Sequence, residues 1–413
     1  MGITHAFVSG KADGGDATLV RPTNWNADHV GYGLQPAAAV IYYSGSTYYA
    51  IDHAGVTITS GSDFRTVVNA ALADAAAGSG GVVQLPSGIH VVTGGYVDHP
   101  AGVWLRGEGN LPLAGFETQP TKGTILKSGT SDLTQVIRTN NSYGARISDL
   151  VVDCNNYTTV GILMNGYQMR VHDVQVWKPK AGGSCIKATG GTAGSTNYMD
   201  YNISNSLLVG GANAVKGIYA AGGYTNNCSD GVIGPNMRMF GCNSGMIDIE
   251  TGGWVVGGPT HITGNLDVAF GIRGSNILID NIYIDSVGAG PHVSINGDQA
   301  VVTNLKFDMG AYTAQTSAIV LAAGAQAVTI DNILLRNSVS DTDYMPLSWF
   351  VDLGANPVDR GIMIGKLNAV YMTVNPLWLT DHNHWAGSGT THYETSAAGY
   401  FYEGAVYASD IAP

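Results

Sequence analysis

At 413 residues the chain can bury a sizeable core, and length alone would suggest about two or three domains. Fifty-seven glycines against 12% charged residues point away from a helical protein and towards many short strands joined by tight turns. The net charge of -12 argues against nucleic acid or an anionic membrane surface as the main partner.

Fourteen prolines and 45% apolar residues describe an ordered chain rather than a disordered one. Cys154, Cys185, Cys228 and Cys242 show neither metal-ligand spacing nor the density of a disulfide scaffold, so they read as free, buried side chains. The start, Met1-Gly2-Ile3-Thr4-His5, carries no basic segment followed by an apolar run, so no signal peptide is expected. No stretch of about 20 apolar residues is available to span a bilayer, and no membrane insertion is expected.

Residues 1–33 form a polar, turn-rich leader. Its run HAFVSGKADGGDATLVRPTNWNADHV resembles a leader found near the start of phage and prophage tail proteins. That resemblance implies attachment to the virion or to a preceding tail protein. Residues 34–60 are a linker with a hairpin, in which AAVIYYSGSTYYAI places two aromatic, β-branched runs around Ser44-Gly45-Ser46. A short amphipathic helix then runs from Asp63-Phe64-Arg65 through Ala77, with Ser62 or Asp63 as N-cap and Gly78 as its stop. It is followed by GGVVQLPSGIHVV, a strand, a turn and a second strand.

This helix–GG–strand–LPxG–strand order resembles the entry of pectate-lyase-superfamily β-helix proteins, including bacteriophage tailspikes and tail fibres. The similarity continues through Val103-Trp104-Leu105-Arg106-Gly107-Glu108-Gly109 and Gly123-Thr124-Ile125-Leu126. The resemblance implies a single-stranded right-handed parallel β-helix whose helix caps the open end, a homotrimer, and a place in the virion tail after assembly in the host cytoplasm.

Residues 61–345 are read as the all-β solenoid. An element apolar-x-Asn/Asp-apolar recurs at Asp149, Asp173, Asn205, Asn281, Asn304 and Asn332. Where both neighbours are clear the spacings are 24, 32, 23 and 28 residues, coils of constant core and variable loops. Between Asn205 and Asn281 the element is degenerate, and Asp230 and Gly257 fill the expected places. Alternate apolar residues point inward, and the Asn or Asp accepts a left-handed bend.

A second column aligns Ile162-x-Met164, Ile186-x-Ala188, Ile218-x-Ala220, Ile247-x-Ile249, Ile272-x-Gly274, Val293-x-Ile295 and Ile319-x-Leu321. The residues between then face outward: Leu163, Lys187, Tyr219, Asp248, Arg273, Ser294 and Val320. Glu250 follows Asp248 on the same face, about 7 Å away at Cα.

Lys187, Tyr219, Asp248, Glu250 and Arg273 are the candidate catalytic set, with Ser294 as a substrate contact. Paired carboxylates could hydrolyse a glycosidic bond. Alternatively Tyr219 or Lys187 could abstract a proton beside a uronate while Arg273 stabilises developing charge. The competing reading is a surface ion-pair ladder. The acid-pair, Gly-His-Gly and arginine-proline signatures of pectinolytic relatives are missing.

Residues 346–413 hold a last coil and a small, aromatic-rich C-terminal element. There Trp378, Trp385 and Tyr393 could stack on sugar rings or pack at a subunit contact. His382, His384 and His392 lack a supporting ligand cluster, so no metal and no cofactor are expected. The leading reading is a phage tail spike or fibre protein that binds and depolymerises a host surface polysaccharide. Its alternatives are a non-catalytic receptor-binding or structural tail protein, and a cellular polysaccharide lyase or hydrolase. Hydrolase and lyase chemistry both stay open.

Overall fold

The computed structural model describes residues 37–352, apart from 110–119, 131–132, 140–141, 191–199, 212–214, 223–228, 243, 264–268, 286–291, 310–314, 323 and 338–344. Beyond 352 it describes the strand backbone of 363–364, 367–370, 372–374, 393–396 and 399–402. The leader, Trp378, Trp385 and the three C-terminal histidines lie outside the described residues, as does Cys228.

The aromatic runs pair as an antiparallel hairpin, Ala39–Ser44 with Thr47–Asp52, and Thr57–Gly61 adds a third strand. The helix follows as α1, Phe64–Ala77. Asp63 caps it by accepting from the Arg65 N–H at 3.1 Å, and Gly78 ends it. Phe64, Val67, Val68, Ala71, Leu72 and Ala75 form its buried face, the stripe that a 3.6-residue period produces. Asn69 ties α1 to the first coil, donating to the Tyr96 carbonyl at 3.2 Å and accepting from the Asp98 N–H at 2.9 Å.

From Gly81 onward the chain winds as a right-handed parallel β-helix, the hand that parallel crossovers almost always take. Two long parallel sheets run up the stack. Each coil's contribution to the first, sheet I, bends partway along. On one side of that bend a single interior column runs Ile147, Val171, Ile203, Ile233, Val256, Ile279, Val302 and Ile330, each paired with the next. All eight are buried. Sheet II supplies the facing column Ile162, Ile186, Ile218, Ile247, Phe270, Val293 and Ile319. Each such side chain contributes roughly 1.5–3 kcal/mol on leaving water, so the stacked interior is the dominant stabilising term.

The bend residues behave as the pattern predicts. Asp149, Asp173, Asn205, Asn281, Asn304 and Asn332 all hold φ between 48° and 58°. In the degenerate stretch the places belong instead to Asn236 (φ 58°) and Gly258 (φ 75°). Asn236 donates its amide to the Asn205 side-chain oxygen at 2.9 Å. Asp230 sits in a different left-handed column with Asp200, Gly253, Asn276 and Gln299, just ahead of each sheet I strand. Two bends per coil use the same residue types, so composition alone did not separate them.

Sheet II carries a second correction. Phe270-x-Ile272, not Ile272-x-Gly274, pairs with Ile247-x-Ile249. A slip of two residues preserves which side chains face inward, because the strand period is two. Alternation therefore could not detect it. Gly271, not Arg273, faces Asp248 across the rungs.

Cys154, Cys185 and Cys242 are free and buried, and burial pushes the thiols of Cys154 and Cys185 well up. Such thiols are poor nucleophiles. Among the described residues no helix is long and apolar enough to cross a membrane.

Candidate functional site

Four successive strands of sheet II build the site: Ser184–Thr189, Lys216–Ala221, Ile247–Ile249 and Phe270–Ile272. Lys187, Tyr219 and Asp248 stand in file across the first three. Glu250 and Arg273 lie just past the third and fourth, laterally aligned by the Glu250 N–H bond to Ala220 and the Arg273 N–H bond to Ile249.

Although the register slips, the predicted groups still meet. One guanidinium nitrogen of Arg273 lies 2.6 Å from both oxygens of Asp248 and 2.8 Å from Glu250. The absence of a side chain at Gly271 makes this reach possible. A Cβ there would already lie 3.0 Å from the Asp248 carboxylate, in the space between the two coils. The Asp248 side chain keeps only 8% of its exposure, against 45% for Arg273. Lys216, unforeseen from the sequence, closes the other side of Asp248 with an ion pair.

Lys216 was hidden by strand irregularity. Gly217 and Ile218 are consecutive buried residues, which breaks the alternation and turns Lys216 to the outer face beside Tyr219. Its ammonium sits 3.7 Å from the Tyr219 ring centroid, and that of Lys187 sits 5.2 Å away. The ring is thus a partner for two cations.

Ser294 faces Gly271 on the next coil. With Ser244, Asp248, Arg273 and Asn296 it lines a shallow depression of 290 Å³. Asn296 extends the polar file by accepting from the Gly324 N–H at 3.0 Å. Tyr393 falls in an antiparallel hairpin, Tyr393–Ser396 with Gly399–Tyr402, whose strands pair only with each other among the described residues.

The chemistry follows from this wiring. Asp248 and Glu250 share one guanidinium, so a cation fills the space that a glycosidic oxygen would occupy between an acid and a base. Both carboxylates accept charge-assisted contacts from the Arg273 guanidinium. Burial, then the hydrogen bond and charge of Glu250, then Asp248, push the Tyr219 hydroxyl up to about 12, against the pull of Arg273. At neutral pH Tyr219 is a donor, not a base.

A raised tyrosine pKa stabilises the fold fully below 10.0, the ordinary value, and that contribution is lost as pH rises through about 12. In a spectrophotometric titration, Tyr219 is expected to ionise after the ordinary exposed tyrosines. Glu250→Gln is expected to bring that late phase back towards 10. A titration with no phase above the ordinary range would contradict the Tyr219–Glu250 bond.

No family profile matches the chain, and no curated protein sequence matches it. Among solved structures, the tailspike protein of E. coli bacteriophage HK620, determined in complex with a pentasaccharide, is similar at 12% identity and a TM-score of 0.49, over 80% of this chain and 77% of that one. The A-module of the Azotobacter vinelandii mannuronan C-5 epimerase AlgE4 is similar at 15% identity and a TM-score of 0.42, over 79% and 96%. A tailspike, gp49, from the Acinetobacter baumannii bacteriophage Fri1, a capsular polysaccharide depolymerase, gives 12% identity and a TM-score of 0.37, over 75% and 55%. What the chain has in common with these proteins is the β-helix architecture, and no residue role passes from them to it.

Proposed function

We propose that this chain is a phage tail spike or fibre protein that binds an extended host surface polysaccharide along the outer wall of sheet II. The proposed assembly is a homotrimer joined to the tail through residues 1–33. One observation carries the binding reading. Lys187, Tyr219 and Ser294 stand in one polar file, and Glu250, Arg273 and Asn296 in a second beside it, across successive strands, which lie about 4.8 Å apart. A shallow, hydroxyl-, amide- and guanidinium-bearing wall suits a long glycan better than a small compact ligand, which favours an enclosed pocket.

Depolymerisation is the second reading, favoured by two carboxylates placed side by side on one wall. The geometry sets its condition: the glycan must draw Arg273 away from Asp248 and Glu250 before either can move a proton. The exposure of Arg273 leaves it room to swing.

The test is incubation of the purified protein with capsule, exopolysaccharide and O-antigen of the host. Retention of one glycan without new reducing ends or unsaturated-uronate absorbance is the expected result, and Arg273→Gln should weaken it by about tenfold. New ends that disappear with Glu250→Gln would establish cleavage. Retention of no host glycan would reject the binding reading. Full retention by an Arg273→Gln, Glu250→Gln double variant would reject the site.

A further inference from the structure

The first coils of sheet I carry an arginine-rich patch on their outer wall. Trp104, Arg146 and Arg170 stand in file across Val103–Arg106, Arg146–Asp153 and Arg170–Trp177, each in register with the next. Arg106, Ser148 and His172 form the file beside it. Arg146 and Arg170 are both exposed and lie one rung apart, about 4.8 Å at the backbone. Like charges directly opposite each other on neighbouring strands destabilise a sheet, so this pair costs the fold rather than supporting it.

The pair has no counter-ion. Among the described residues none of Arg106, Arg146 and Arg170 has a carboxylate within ion-pair distance. The acids that border the patch contact other groups. Asp149 accepts from the Ser148 hydroxyl at 2.7 Å, Asp173 lies 2.8 Å from the His172 Nδ1, and Glu108 accepts from the Ser87 N–H at 3.1 Å.

The patch is also held in shape. Trp104 is fixed by donating its N–H to the Ser148 hydroxyl at 2.9 Å. The guanidinium carbons of Arg106 and Arg146 lie 5.3 and 5.9 Å from the Trp104 ring centroid, within cation–π reach. Arg106 donates its Nε to the Gln84 side-chain oxygen at 2.7 Å. Gln84 is itself anchored, its amide donating to the Gly107 carbonyl at 2.9 Å. The two terminal nitrogens of Arg106 and the whole guanidiniums of Arg146 and Arg170 keep their donors unclaimed among the described residues. Ring contact accounts for where Arg106 and Arg146 sit, whereas Arg170 has no polar or ring partner there.

We propose that this patch is a phosphoryl-binding site, in which Arg146 and Arg170 close on one dianionic phosphate group and Arg106 donates from the side. A phosphate monoester offers three terminal oxygens and nearly two charges at neutral pH, against the two oxygens and single charge of a carboxylate. Three guanidiniums, each a rigid fork of donors, match the former. Free phosphate and the phosphate of a lipid headgroup present the same group. The site is independent of the Asp248 cluster, which lies on the other sheet.

Inorganic phosphate is the first probe, titrated by calorimetry into the full chain at fixed ionic strength. Saturable binding is expected, weakened by about tenfold or more in an Arg146→Gln, Arg170→Gln double variant whose melting curve matches the parent. Arg170→Gln alone removes no polar contact of the fold and should weaken binding several-fold. Acetate should bind at least about tenfold more weakly than phosphate, and Arg273→Gln on sheet II should leave phosphate affinity in place. The second probe is sedimentation with phosphatidylcholine vesicles that contain phosphatidic acid. Retention on these, lost in the double variant and missing with pure phosphatidylcholine, assigns the site to a headgroup. Phosphate binding without retention assigns it to the free ion. The proposal is overturned if neither probe binds, if the double variant binds as the parent does, if acetate matches phosphate, or if Arg273→Gln abolishes binding.

Discussion

Trp254→Ala is expected to lower the unfolding free energy by about 4 kcal/mol. The indole is fully buried and lies nearly parallel to Tyr201, with centroids 5.8 Å apart and planes inclined by 14°. Its N–H donates to the Thr251 hydroxyl at 2.9 Å. Gly231, on the coil beneath, leaves the space that the ring fills, since a Cβ there would lie 2.2 Å from it. Truncation opens a cavity between two coils that stay fixed by backbone pairing on either side, so little collapse can offset it. The urea midpoint is the readout, and Trp254→Phe should retain most of the parent's value. A shift from Trp254→Ala worth less than about 1 kcal/mol would mean that the ring is not packed as described.

Asp248→Ala should cost about 3 kcal/mol, because removing one member of a buried ion cluster strands the others. Here Arg273 and Lys216 lose their shared acceptor. Arg273 is partly exposed and can rehydrate, so the penalty falls mainly on Lys216, whose side chain keeps 22% exposure. Adding Lys216→Met to Asp248→Ala should therefore recover part of the loss. This experiment separates the two readings of the cluster. A cost below about 0.5 kcal/mol would identify a solvated surface ladder.

The interior was legible because burial acts on every second residue, and Ile162, Ile186, Ile218 and Ile247 announce one column at one register. The bends were legible where Asn or Asp stood between apolar neighbours, as at Asn281 and Asn304. Failures arose where a signal was degenerate. Phe270 and Ile272 are both apolar and of the same parity, so the rung of Arg273 was misassigned by two. Asp230 has the chemistry of one bend and the position of another. Lys216 follows no alternation, because the strand is irregular at Gly217. The clustering of Arg273 with Asp248 survived the slip because a long side chain spans the space left by Gly271.

The coil-on-coil pairing has a consequence for how the chain is made. Partners in the stack sit only some two to three dozen residues apart, a short separation in a chain this long, so order can spread from one turn of the solenoid to the next without distant closures. Until the following turn is laid down, however, the growing tip exposes an unpaired row of peptide donors and acceptors. Such a row templates any strand that reaches it, so slow synthesis or truncation within the solenoid would favour misassembly between nascent chains.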